Sequence, residues 1–212
     1  MTRNTSSAVM QQRIEPHDSL DDFPTPPWAT RALCDWLLSI GQDLASMACH
    51  EPAANRGHMV RPLRETFGVV TGSDVHDYGA GFPIEDYLFY PANPDSFDWT
   101  ITNPPFRLAE QFILKALAQS RAGVAVIVRS AFLEGIGRHT RLFSLHPPTD
   151  ILQFTERVVM HKGKLSENGS TATAYCWIVW RKDAAGEPAR FHWIAPCRKR
   201  LERKEDYREM EE

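Results

Sequence analysis

The chain has 212 residues, 42% hydrophobic and 24% charged, which suits one soluble globular domain and excludes a largely disordered polymer. Lys and Arg number 24 against 27 Asp and Glu, a net charge of −3. The chain is therefore no histone-like polycation, and any grip on nucleic acid must come from a local patch. The sequence contains no run of about 18 uninterrupted apolar residues, so no transmembrane span and no membrane contact are expected. Residues 1–22 lack the apolar centre of a secretory signal. The four cysteines, Cys34, Cys49, Cys176 and Cys197, include no Cys-x-x-Cys pair, which predicts reduced structural thiols, no metal site and a cytoplasmic location.

In chain order, residues 1–22 are polar without periodicity and read as a mobile arm ahead of a single domain over 23–197. In Phe23-Pro24-Thr25-Pro26-Pro27, Thr25 is a candidate helix cap. Ala29, Leu33, Trp36, Leu37 and Ile40 then repeat at helical spacing, with Gly41 as the stop. Ala45 to Cys49 predicts a buried strand ending at Glu51. Met59, Leu63 and Phe67 mark one helical face, and Val69 to Asp74 a second strand with an acid at its tip. Residues 75–97 read as loop with a short ordered piece at Asp86-Tyr87-Leu88. Asp98 to Thr102 is a short strand, and Leu108, Phe112, Leu114, Ala116 and Leu117 make a helix after it. Gly123 to Val128 is a near-continuous β-branched run, as in a strand covered on both faces. A helix broken by Gly135 and Gly137 is expected over 133–145, strands over 151–160 and 171–180, and an edge strand over 191–195. Residues 198–212, almost wholly charged, read as a solvated helix or tail.

Strands alternating with helices predict an α/β fold, a doubly wound and mostly parallel Rossmann-like sheet. The last two main strands, closely connected, should form an antiparallel hairpin at one edge. Ligands of such sheets sit beyond the carboxyl ends of the strands, where the strand order reverses. Glu51, Asp74 and Asn103 each fall just after a predicted strand. In Asn103-Pro104-Pro105-Phe106 the prolines fix the backbone and remove two N–H donors. The Asn103 amide and the Pro104 carbonyl can then point outward together, two acceptors that suit a planar exocyclic amine, with the Phe106 ring available for stacking. Glu51-Pro52-Ala53-Ala54-Asn55-Arg56-Gly57 offers a glycine-bearing turn for close backbone approach and an acid suited to a cationic ligand rather than to pyrophosphate. Asp74 lies roughly 20 residues further on, where an acid can accept from ribose hydroxyls. The plain readings of these pieces, a Pro-Pro turn, a strand-to-helix connection and a turn acid, compete with the functional ones singly.

Taken together, the Glu51–Gly57 and Asn103–Phe106 motifs resemble those of S-adenosylmethionine-dependent amino-methyltransferases, specifically the DNA adenine-N6 methyltransferases. The resemblance covers about residues 23–130, in the motif order of that family's gamma group. It implies that Glu51, Pro52, Ala53, Asn55 and Gly57 wrap the methionine part of the cofactor and that Asp74 takes its ribose. It implies likewise that Asp86, beside Tyr87, meets the adenine amine of the cofactor, and that Thr25 and Pro26 pack on its methionine end. Asn103, Pro104, Pro105 and Phe106 become the catalytic set, gripping the target N6 amine for in-line attack, with no metal and no covalent intermediate. Asn55 stands where glycine is usual, and Asn tolerates left-handed backbone angles better than most residues.

DNA, double- or single-stranded, is the expected partner, with the target base flipped out or taken from a single strand. DNA contact is expected near Arg129, Arg138, His139, Arg141, Arg157, His161, Lys162 and Lys164, with Arg129, His161, Lys162 and Lys164 as the candidate DNA contacts, and Gly163 with Asn168-Gly169 marks a flap. Only residues 133–148 and 161–170 are available for target recognition, and the small size allows a homodimer or a partner chain. Two other readings stand beside this one: an amino-methyltransferase acting on RNA or protein glutamine, and a nucleic-acid-binding protein with a decayed cofactor pocket.

Overall fold

A computed structural model of the chain describes residues 21–207. The expected arm over residues 1–22 therefore lies outside the described residues except for Asp21 and Asp22, and so does the end of the charged tail beyond Tyr207. Seven strands form one sheet in the order β2-β1-β3-β4-β6-β5-β7. These are β1 (Ala48–Glu51), β2 (Val69–Gly72), β3 (Phe97–Thr102), β4 (Ser120–Arg129), β5 (Asp150–Phe154), β6 (Tyr175–Arg181) and β7 (Arg190–Ile194). Only β6 runs against its neighbours, pairing antiparallel with β4 and β5, and every other pairing is parallel. The α/β class, the parallel sheet and the β5–β6 hairpin agree with the sequence pattern, and β7 adds the outermost strand beyond the hairpin. The order reverses between β1 and β3, which sets the switch point above Glu51 and Thr102.

Helix α1 (Pro27–Ser39) covers one face of the sheet with Leu33, Leu37 and Trp28 in the same core as Trp99, Ile127, Leu152 and Trp177. The Trp177 indole N–H donates to the Ala29 carbonyl at 3.1 Å, so this fully buried residue of β6 is oriented by the first turn of α1. On the other face, Ile113 and Ala116 of α3 (Ala109–Gln119) pack on Val124, Val126 and Val128 of β4. The β-branched run of β4 is thus buried on both faces, as its composition requires.

Three local expectations are corrected. Thr25 does not cap α1: Pro26, extended at φ −63°, is the cap residue, and its carbonyl accepts from the Ala29 N–H at 2.9 Å. Proline fits the first helical position because it lacks the N–H that would go unpaired there, and Pro26 at the cap brings no side-chain acceptor. The strand expected from Ala45 begins at Ala48, because residues 44–46 form a 3₁₀ turn that buries Leu44. The segment over 133–145 is a succession of short pieces, among them α4 (Ile136–Arg138) and a π turn over His139–Phe143, with Gly135 at φ +118° at its start.

The charged C-terminal segment is not a free tail as far as Tyr207. Its helix α5 (Arg198–Leu201) buries Leu201 against α1. Asp206 is buried and takes both Nη1 and Nη2 of Arg31, at 2.7 and 2.8 Å. Arg31 also donates to Glu65 after α2 (Val60–Leu63), so the segment closes over α1 through a buried ion pair. Burial alone would lower the Arg31 pKa, but Asp206 and Glu65 together raise it.

Candidate active site

A cavity of about 530 Å³ opens at the carboxyl ends of β1, β2 and β3. Four loops reach it: the turn after β1, the segment after β2, the Asn-Pro-Pro turn after β3, and residues 21–25 ahead of α1. Of the residues singled out from sequence, Thr25, Pro52, Ala53, Asn55 and Asp74 line it, as do Asp86, Tyr87, Asn103 and Pro105. Pro26, Pro104 and Glu51 are buried beside it. Phe106, Arg129, His161, Lys162 and Lys164 lie off its wall.

Glu51 ends β1 and is fully buried. Its Oε1 accepts from the Thr102 hydroxyl at 2.6 Å and from the Ala53 N–H at 3.3 Å. Its Oε2 is buried with no hydrogen-bond partner among the described residues. Burial pushes this carboxyl well above the ordinary carboxylate range, and the Thr102 bond offsets only part of that. The Thr25 hydroxyl is likewise buried without a partner. Two orphaned polar groups at one cavity are unusual in a folded interior.

The turn after β1 is held in shape by its own sequence. Asn55 sits at φ +49°, the left-handed conformation that Asn tolerates. Its side chain turns to Asp22, with Nδ2 donating to Oδ1 at 2.7 Å, and its own Oδ1 accepts from the Arg56 N–H at 2.7 Å. Gly57 follows at φ +77°, where a Cβ would meet the Phe82 ring at 3.1 Å. Asp74 fastens this turn from the next strand: Oδ2 accepts from the Asn55 N–H at 2.8 Å and Oδ1 from the His76 N–H at 3.0 Å. Asp74 therefore lines the cavity and shapes it at once. Asp86, exposed, accepts from the Leu88 N–H at 2.9 Å. Tyr87, buried, packs on Phe112 at 4.9 Å between ring centres.

At the Asn-Pro-Pro turn, Asn103 Nδ2 donates to the Phe23 carbonyl at 2.9 Å and reaches Met160 Sδ at 3.8 Å. With the nitrogen anchored, the amide oxygen is the atom left to accept at the cavity. The Phe106 ring is not bare: Phe23 lies 5.2 Å away, tilted by 40°, and the Arg129 guanidinium sits over it at 4.3 Å. The Phe106 N–H donates to Asp21 at 2.8 Å.

Sequence reasoning missed Asp21 and Asp22. Asp22 also pairs with Arg56 at 3.0 Å, and its carbonyl accepts from the Gly163 N–H at 2.8 Å. These two residues thus join the turn after β1, the Asn-Pro-Pro turn and the loop that carries Lys162, Lys164 and the His161–Lys164 bridge. Nothing in their polar, aperiodic neighbourhood signals this; the contacts come from partners more than 30 positions away. His58 also lines the cavity, just ahead of α2. Burial and the nearby Arg61 and Arg56 hold its pKa down to about 4, so it is neutral at pH 7. Among the described residues no group of His, Cys, Asp and Glu is arranged to hold a metal, no helix is long and apolar enough to cross a membrane, and all four cysteines are free and buried.

No protein-family model matches the sequence, and no curated protein matches it significantly. Solved structures do share the fold. One is a methyltransferase subunit of a type I restriction-modification system from Streptococcus thermophilus, with a TM-score of 0.59 at 13% identity over 83% of this chain. Another is assigned as a class I S-adenosylmethionine-dependent methyltransferase from Listeria monocytogenes (TM-score 0.61, 11% identity, 84% of this chain and 68% of that one). A third is assigned as an RNA methyltransferase from Pyrococcus horikoshii (TM-score 0.57, 20% identity, 79% of this chain and 91% of that one). The chain spans about half the length of the restriction-modification subunit, 48%. These likenesses establish a Rossmann-like sheet of the kind methyltransferases use.

Proposed function

We propose that the chain transfers a methyl group from S-adenosylmethionine to the exocyclic N6 amine of adenine in DNA. One observation carries the reading: a single cavity at the switch point brings together the turn after β1, Asp74 and Asn103. The residues present fit the cofactor. The unpartnered Glu51 Oε2 beside Pro52 and Ala53 suits an ammonium group, since a cation there would supply the donor this oxygen lacks and favour its ionised form. Asp74 would take the ribose, Asp86 the adenine amine, and Thr25 the methionine end. When bound, S-adenosylmethionine supplies an electrophilic methyl group on a sulfonium.

The remaining chemistry belongs to this chain. Asn103, its Nδ2 held by the Phe23 carbonyl, presents its amide oxygen to one N–H of the target amine, and the Pro104 carbonyl takes the other. Two placed acceptors orient the nitrogen lone pair and stabilise the positive charge that develops on the nitrogen during attack. Phe106, with Arg129 on its ring, offers stacking to a base drawn out of its duplex or taken from a single strand. His58, neutral at pH 7, adds no positive charge to a cavity meant for a cationic donor.

RNA is the second reading, and coverage favours it: the chain spans 91% of the structure assigned as an RNA methyltransferase and only 48% of the restriction-modification subunit. Incubating the protein and cofactor with DNA and with RNA, then analysing the nucleosides by mass spectrometry, tests both. N6-methyladenine in DNA supports the proposal, methylated RNA nucleosides replace DNA with RNA, and no methylated nucleoside in either pool overturns the nucleic-acid substrate.

A further inference from the structure

A second groove, of about 480 Å³, lies on the same rim of the sheet and shares no residue with the first. Its inner wall is Ser130, directly after Arg129 at the end of β4, and its floor includes Gln153 of β5. Its outer wall is Phe191 and Trp193 of the edge strand β7. Alternation along β7 puts these two rings on one face, 4.9 Å apart, while His192 points to the other face and bonds Asp150 at 2.8 Å. Phe191 is 52% exposed and Trp193 69% exposed. A paired aromatic surface this open on an edge strand has no packing role to explain it.

The groove holds one arginine that no acid pairs with. Arg157 lines it and is exposed, with no acidic partner among the described residues. Glu156, the acid of the groove, is turned to the backbone rather than to Arg157: its Oε1 accepts from the Cys197 and Arg198 N–H groups at 2.6 and 2.7 Å. Arg129 stands at the inner end, against Phe106. Four strand spacings separate β3 from β7, roughly 19 Å. The groove therefore starts one strand from the Asn-Pro-Pro turn and leads away from it.

We propose that this groove binds single-stranded polynucleotide flanking the target base, with bases stacked on Trp193 and Phe191 and phosphates met by Arg157 and Arg129. Flat apolar rings beside cations that lack acids are the combination that holds single strands, because every base offers a face for stacking. The inference rests on the nucleic-acid reading above and adds to it the form of the polymer, a strand already opened or unpaired over several nucleotides.

The test uses the full chain and a fluorescein-labelled oligothymidylate, single-stranded and as its duplex with oligoadenylate. Thymine has no exocyclic amine, so binding is read apart from methyl transfer. The single strand should bind more tightly than the duplex and quench Trp193; Trp28, Trp99, Trp177 and Trp180 are buried, and any contribution of the half-buried Trp36 is the quenching that remains in Trp193→Ala. Trp193→Ala should weaken single-strand binding roughly tenfold and Trp193→Phe should restore most of it. Arg157→Gln should lower the slope of log affinity against log salt by about one. Trp193 is exposed, so an unchanged circular dichroism spectrum certifies the fold of the variant. Equal single-strand affinity in Trp193→Ala and wild type overturns the proposal. So does a dimer, seen by sedimentation, that Trp193→Ala dissociates while oligothymidylate affinity stays unchanged, for the rings would then mark self-association along β7. Quenching without any adenine methylation keeps the groove and removes the enzyme reading; methylation that ignores Trp193 removes the groove alone.

Discussion

Asn103 makes one commitment that can be read directly. Its nitrogen is spent on the Phe23 carbonyl, so its oxygen is the group left to accept at the cavity. Asn103→Ala should cut methyl transfer by more than a hundredfold while cofactor affinity stays within a few-fold, measured by labelled-methyl assay and calorimetry. Transfer that survives would take the amine-gripping role from this residue. Glu51 is held in the opposite tension. Its carboxyl pKa is raised by burial, so above about pH 4.5 an unfolded chain releases this proton more readily than the folded one, and the group opposes folding there. Glu51→Gln removes that opposition and also removes the acid that a cofactor ammonium would meet. The ligand-free melting temperature should hold or rise while cofactor affinity falls at least tenfold; a fall in melting temperature with unchanged affinity would make Glu51 structural only. Glu51, Asp74 and Asn103 were legible because each follows a strand, where such folds keep their ligands. The second duty of Asp74, accepting from the Asn55 N–H, was not, since it depends on two loops meeting.

Among elements, those with strong periodicity were read from sequence to within a few residues: α1, α3 and β4 all have apolar positions at the spacing their geometry demands. Between 133 and 145 the apolar positions promised a helix, and Gly135 and Gly137 divided it into turns. The C-terminal segment misleads in the other direction. Its composition is that of a solvated tail, yet Asp206 supplies the partner that a buried arginine in α1 requires, and no local pattern encodes a pairing across 175 positions. Asp206→Asn leaves that guanidinium with Glu65 as its remaining acid and should cost about 3 kcal/mol, read as a lower urea midpoint at unchanged slope. Loss of less than about 0.5 kcal/mol, the scale of an exposed pair, would show that the segment contributes little to the fold.

Across the whole molecule, the sheet order puts the two halves of the site on adjacent strands, with His50 buried and His58 half-buried near them. Burial holds His50 and His58 down to about 4, against 6.5 in an open chain, with the neighbouring arginines adding to the effect at His58. Between these values the unfolded chain binds more protons than the folded one, so stability rises with pH in that window. It should be complete above about pH 6.5 and decline as pH falls towards 4, each histidine accounting for up to about 3 kcal/mol. Urea unfolding at pH 7 and pH 5 measures this, and His50→Gln should flatten the dependence; a flat profile in the parent protein would show that both rings protonate within the fold. The global topology was visible in the alternation of strands and helices, because a parallel sheet covered on both faces leaves few other arrangements.

The adjacent carboxylates of Asp21 and Asp22 act as a knot rather than as a lining. One receives the Phe106 N–H; the other ties Asn55 and Arg56, and its peptide oxygen takes Gly163. A chain shortened to begin at Phe23 would lose all of these fastenings at one cut, so the walls of the cavity would slacken in concert and not singly.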